Sequence, residues 1–270
     1  MKVYVATDME GASGVTQELM TFADQPRYQE GRRALTYDVN AAVRGARAAG
    51  ATEIIVSDGH GACGGYNLIF EELESGAQYH LGSPGQHYAD GCDESTDLAF
   101  LVAYHAQAGS WPAVLDHTQS SRAIVDIRAN GEPLGELGWT AAVCGHFGVP
   151  VGLVTGDDAT CAEARELLGN VVTAQVKRAR SRTCAICLAP GDARRLIEEK
   201  AREAVERAAE FKPFVIAGPI TVRVQYLRTE QAQSWRRRPN VTMIDGRTVE
   251  YQAANAFEAM QRYVGYDTNG

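Results

Sequence analysis

The stretch KVYVATDMEG, residues 2–11, decides how the rest of the chain is read. Its first five residues are short, apolar and rich in β-branched side chains, and they run straight into Thr7, Asp8 and the glycines of EGASG. That pattern predicts a buried strand with a sharp polar exit. Leu35, Val39, Ala42, Val43 and Ala46 then recur at helical spacing, and Gly50 follows as a C-terminal stop, so a helix is expected from Ala34 to Ala49. A second apolar strand, EIIVS at 53–57, ends in Asp58-Gly59-His60-Gly61. Strand, helix and strand in this order predict a parallel crossover unit.

Farther along, LAFLVAY at 98–104 is a continuous apolar run of the kind expected when helices cover both faces of a parallel sheet. A strand at 124–129 with an Asn130-Gly131 turn, a helix from about Leu134 to His146, and a strand in VGLVTGDD at 151–158 continue the alternation. The fold class is therefore α/β: a doubly wound, mostly parallel sheet with a smaller α+β second domain. The last hundred residues change character. They carry a charged amphipathic helix from Pro190 to Ala209, an alternating strand from Ile220 to Tyr226, a hairpin turn at Asp245-Gly246 and a helix from Ala253 to about Tyr263. We set the boundary near residue 170, with a metal-binding catalytic domain over 1–170 and an α+β region over 171–270 for oligomer contacts and shaping of the substrate site.

A net charge of −8 argues against nucleic acid, and no apolar stretch is long enough to span a bilayer. The basic clusters Lys177, Arg178, Arg180, Arg182 and Arg236, Arg237, Arg238 read as solvated faces or subunit contacts. Six cysteines without a disulfide-scaffold spacing point to a reducing cytoplasm. Cys184 and Cys187 form one CxxC in apolar surroundings and read as buried thiols, since no partner pair completes a zinc set.

In open α/β sheets ligands bind beyond the carboxyl ends of the strands. Here the first strand delivers Asp8 and Glu10, the second Asp58 and His60, the third His105. Carboxylates and imidazoles without thiolate suit zinc or another divalent first-row ion in an open catalytic site, and a set this rich suits a pair of ions. Such a pair activates water near neutral pH and polarises the bond under attack, which makes hydrolysis the natural chemistry. The glycines of GHGACGG lack the ending of a phosphate loop, and no GxGxxG opens a helix. An aspartyl-phosphate enzyme would leave both histidines unexplained.

The segments TDMEGASGV (7–15), SDGHG (57–61), AYHA (103–106), LDHT (115–118), GELG (135–138) and TGDD (155–158) resemble, in order, the bacterial D-aminopeptidase family of dinuclear zinc peptidases. The resemblance implies two zinc ions per subunit held by Asp8, Glu10, His60, His105 and Glu136, with Asp8 bridging. It implies that His117 is the catalytic histidine, giving a proton to the leaving amine. Asp58 and Asp157 are expected to orient ligand histidines rather than to bind metal. The resemblance further implies a ring-shaped homo-oligomer, a decamer in the founding member, acting on small peptides or amides with an N-terminal D-residue. Two alternatives stay open at this point: a dinuclear hydrolase of another small amide or ester, and a non-catalytic metal or amino-acid binder.

Overall fold

The computed structural model describes residues 1–265. In chain order its strands are β1 (Lys2–Thr7), β2 (Glu53–Asp58), β3 (Gln78–His80), β4 (Leu98–Val102), β5 (Ile124–Ala129), β6 (Glu132–Pro133), β7 (Val151–Asp157), β8 (Val172–Ser181), β9 (Cys184–Cys187), β10 (Ile220–Tyr226), β11 (Val241–Met243) and β12 (Thr248–Ala253). Its α-helices are α1 (Tyr28–Ala48), α2 (Glu136–His146), α3 (Asp158–Leu168), α4 (Pro190–Glu206), α5 (Thr229–Gln233) and α6 (Ala256–Val264).

The main sheet runs β3-β2-β1-β4-β7-β8-β9, parallel throughout except for the final β8–β9 hairpin. Alternate residues of its strands feed two cores. Val3, Val5, Phe100 and Val102 pack with Leu35, Val39 and Val43 of α1 and Ile197 and Ala201 of α4. Tyr4, Ala6, Ala99 and Leu101 face the other way, toward Leu137, Ala141 and Cys144 of α2 and Ala164 of α3. Helices on both faces explain why these strands read as unbroken apolar runs. The α1–α4 contact is tight at Gly45, where a Cβ would lie 2.2 Å from the Glu198 carbonyl oxygen.

A second sheet, β11-β12-β10-β5-β6, is antiparallel. Its inner face, with Ile127, Val222, Val224, Val249 and Tyr251, packs with Trp139 of α2 and Met260 of α6. The two sheets are not successive blocks of sequence. The chain leaves the main sheet after β4 to build β5 and β6 of the second, returns for β7, β8 and β9, and then completes the second sheet, so residue 170 does not separate one sheet from the other. Helix α2 lies between them and joins their cores.

Because β2 lies on one side of β1 and β4 on the other, the strand order reverses at β1. The crevice at such a reversal is where an open sheet binds its ligand, and the loops leaving β2, β1 and β4 meet there. Among the described residues no helix is long and apolar enough to cross a membrane.

Candidate metal centre

The loop after β1 is drawn across the end of β4 by two backbone bonds, Asp8 N to the Val102 carbonyl at 3.0 Å and Gly11 N to the Ala103 carbonyl at 2.8 Å. Only glycine permits this approach, since a Cβ on Gly11 would sit 1.8 Å from the Tyr104 carbonyl oxygen. From the other side the ammonium of Lys177 donates to the carbonyls of Glu10 at 2.5 Å, Ala12 at 2.9 Å and Val15 at 2.6 Å. Lys177 is only 2% exposed, and burial pushes its pKa down to about 8. It is therefore not part of a solvated basic face. A register shift opposite Gly156 and Asp157 turns both Val176 and Lys177 inward, which strict strand alternation would forbid.

His60 is carried by the loop after β2. The Asp58 carboxylate accepts from the backbone of Asn67 and Leu68 and from the Asn67 amide, and that amide donates in turn to the His60 carbonyl at 2.8 Å. Asp58 thus positions His60 through Asn67 and the main chain, not through the imidazole. The imidazole Nε2 lies 2.8 Å from the Thr21 carbonyl, which can only accept, so the proton resides on Nε2. Nδ1, the nitrogen left to ligate a metal, faces Asp8 Oδ1 at 3.0 Å and Glu10 Oε2 at 3.3 Å.

His105 leaves β4 after Ala103, which adopts the left-handed backbone region at φ 63°. A non-glycine residue held there is strained, and such strain gathers at functional sites. His105 Nδ1 donates to the Ala106 carbonyl at 3.0 Å, leaving Nε2 at 3.1 Å from Asp8 Oδ2 and 3.2 Å from Glu136 Oε1. Glu136 opens α2, where the helix dipole favours a carboxylate, and Oε1 also accepts from Gln119 N at 2.6 Å. His117 Nδ1 donates to the Leu115 carbonyl at 2.9 Å, and its Nε2 is 3.4 Å from Glu136 Oε1.

The structure thus gathers all six sequence-predicted site residues into two groups, Asp8 with Glu10 and His60, and His105 with His117 and Glu136. Asp8 faces both, one oxygen to each. Asp157 stands apart from the imidazoles: it caps α3 through Thr160 and accepts from Val114 N at 2.7 Å.

Burial works against a charged Asp8, but His105 and His60 beside it prevail and hold its carboxyl well below the usual range. Burial likewise opposes protonation of His60 and His105. The carboxylates around them, led by Glu10 for His60 and by Glu136 for His105, raise both well above an ordinary histidine. With both imidazoles neutral, the form in which they ligate a metal, Asp8 Oδ2, Glu10 Oε2 and His105 Nε2 are buried acceptors without a hydrogen-bond donor. Buried orphan acceptors are costly, and three of them converging on one crevice are what a cation site requires. The donor set of carboxylate oxygens and imidazole nitrogens, each histidine fixed by a carbonyl behind it, fits zinc.

Two cavities flank the cluster. One, of about 250 Å³, is lined by Asp8, His60 and Glu136 together with Tyr4, Tyr88 and Tyr104. The other, of about 300 Å³, is lined by Glu10, His117, Glu136, Ser120, Phe22 and Arg122.

Sequence reasoning missed Thr21, Gln119 and Lys177, which act through backbone atoms or across a strand irregularity and so leave no residue-type signature. It also misplaced a pair of cysteines. Cys184 and Cys187 are exposed rather than buried, because β9 is the sheet's edge strand and presents them to solvent.

Comparison with known proteins agrees with this geometry. A peptidase M55 family model, described as D-aminopeptidase, matches residues 1–264. The D-aminopeptidase of Bacillus subtilis (strain 168) is 34% identical over 266 residues, which is 97% of this chain and 94% of that protein. The solved structure of the Zn-dependent D-aminopeptidase DppA from Bacillus subtilis, a self-compartmentalizing protease, matches with a TM-score of 0.92 and 32% identity, over 98% of this chain and 96% of that one.

Proposed function

Since this chain belongs to the D-aminopeptidase family, we propose that it is a zinc-dependent aminopeptidase that releases N-terminal D-residues from short peptides. The observation that carries the reading is the set of buried, unpartnered acceptor atoms on Asp8, Glu10 and His105, turned into a single crevice. Asp8, Glu10 and His60 would hold one zinc ion, and Asp8, His105 and Glu136 the second, giving each ion three protein ligands and leaving room for water and substrate. When bound, two such ions supply an activated water and a polarised carbonyl.

The chain's own groups do the rest. The Thr21 and Ala106 carbonyls keep the protons of His60 and His105 on the nitrogens that point away from the crevice. His117 is left over once both ions have three ligands. With Nδ1 engaged by the Leu115 carbonyl, Nε2 is the atom that hands a proton to the departing amine. At 13% side-chain exposure, against 1% for His105, His117 reaches the cavity where that amine would lie.

A homo-oligomer, as in the self-compartmentalizing relative, would cover the largely exposed Trp111, Phe70 and Val215. Residues 171–270 would contribute to those contacts. Six free cysteines suit a cytoplasmic setting. Metal analysis of protein purified without chelator, together with a panel of D- and L-aminoacyl peptides, tests the proposal: about two zinc ions per chain and cleavage of D-peptides are expected, and full activity in metal-free protein would refute it.

A further inference from the structure

We propose that Arg122 anchors the free C-terminal carboxylate of the substrate, which makes the enzyme selective for short peptides ending in an unblocked carboxylate. The proposal rests on the assignment of His117 as proton donor to the leaving amine. Of the two cavities His117 lines only the one that contains Phe22 and Arg122, which places the residue released as the amine there. In the shortest peptides the far end of that same residue is a carboxylate.

The charged lining of this cavity is otherwise Asp8, Glu10 and Glu136, the residues assigned to the zinc ions, and Arg122 is its one arginine or lysine. The guanidinium carbon lies 3.7 Å from the centroid of the Phe22 ring, and among the described residues no ion pair engages it. An arginine stacked on an aromatic face is preorganised, with the N–H groups of its edge free to grip a carboxylate through two parallel bonds.

Its backbone is equally constrained. The Ser120 carbonyl accepts from Ala123 N at 3.2 Å and Ile124 N at 3.0 Å, and the Arg122 carbonyl accepts from the Gln231 amide at 3.2 Å. Gln119, at φ 61°, ties the start of this turn to Glu136. The turn fixes the backbone from which the exposed Arg122 side chain springs, and the Phe22 ring is the surface on which its guanidinium rests. A zwitterionic peptide lying across the site would find its scissile carbonyl at the zinc-binding groups and its terminal carboxylate at Arg122.

The test compares kcat/KM of the zinc-loaded enzyme for D-alanyl-D-alanine and for its C-terminal amide. Each variant supplies its own ratio, which is independent of the fraction of protein that folds. The native enzyme is expected to prefer the free acid by about tenfold or more, mainly through KM, as a charge-assisted pair contributes. Arg122→Ala collapses that ratio toward one, and Arg122→Lys falls between. Cleavage of both substrates with equal efficiency by the native enzyme, or a ratio untouched by Arg122→Ala, overturns the assignment of Arg122 while leaving the peptidase reading intact. Failure to cleave either substrate overturns both.

Discussion

The rings of His105 and His117 stack with centroids 3.9 Å apart and planes 13° from parallel. The two imidazoles share this contact and face the same Glu136 oxygen, and the proposed reading gives them different work. His105 faces Asp8 as well as Glu136 and is proposed as a ligand, whereas His117 is the more exposed of the two and opens on the cavity that Arg122 lines.

Replacement of His117 by Ala is therefore expected to retain zinc and lower kcat by about 10²- to 10⁴-fold, the usual contribution of a positioned proton donor. His105→Ala should instead lose metal. Zinc stoichiometry measured beside kcat separates the two, and loss of metal from the His117 variant would reassign that residue as a ligand.

Chelation of the protein should abolish hydrolysis and lower the melting temperature, with zinc restoring both. A ligand present at a hundred times its Kd stabilises a native state by about 2.7 kcal/mol, so the shift is readable by calorimetry. An unchanged melting temperature in chelator would mean that the crevice holds no ion.

Lys177→Met should destabilise the chain by on the order of 3 kcal/mol, because it leaves three buried carbonyls without a donor. These carbonyls belong to the loop that presents Glu10, so zinc stoichiometry should fall along with the urea midpoint. Retention of both would show that the loop holds its shape without the ammonium.

Asp38 gives the stability a pH dependence. Burial raises its carboxyl to about 6, even though Ser13 donates to it from both N and Oγ at 2.7 Å. A folded value above the unfolded one, about 3.9, adds stability that is complete below the unfolded value and is lost as pH rises through about 6. The stability of the native protein minus that of Asp38→Asn should therefore fall between pH 4 and pH 7, by up to about 3 kcal/mol. A flat difference would rule the effect out.

Much of this organisation was legible in the sequence. The continuous apolar runs of β1, β2, β4 and β7 announced a covered parallel sheet, and the residues just past three of them announced the cluster of carboxylates and imidazoles. Glu136 was less legible, because a carboxylate in the first turn of a helix has an ordinary explanation in the helix dipole. It was identified by resemblance, and the fold places it against His105. The β8–β9 hairpin was missed because its strands mix basic and apolar residues across a bulge. The assignment of β5 and β6 to the second sheet was missed because strand pairing is a long-range property with no local signal. The Thr21 carbonyl behind His60 could not have been found by residue type at all, since every residue has one.

The short segment around Thr21 and Phe22 touches both ends of the reaction. One residue fixes which nitrogen of His60 is free for metal, and its neighbour forms the platform under Arg122. Under the roles proposed for His60 and Arg122, coordination and length selection are coupled through two adjacent positions. An evolutionary or engineered change that shifts this segment to admit longer substrates would disturb the imidazole at the same stroke.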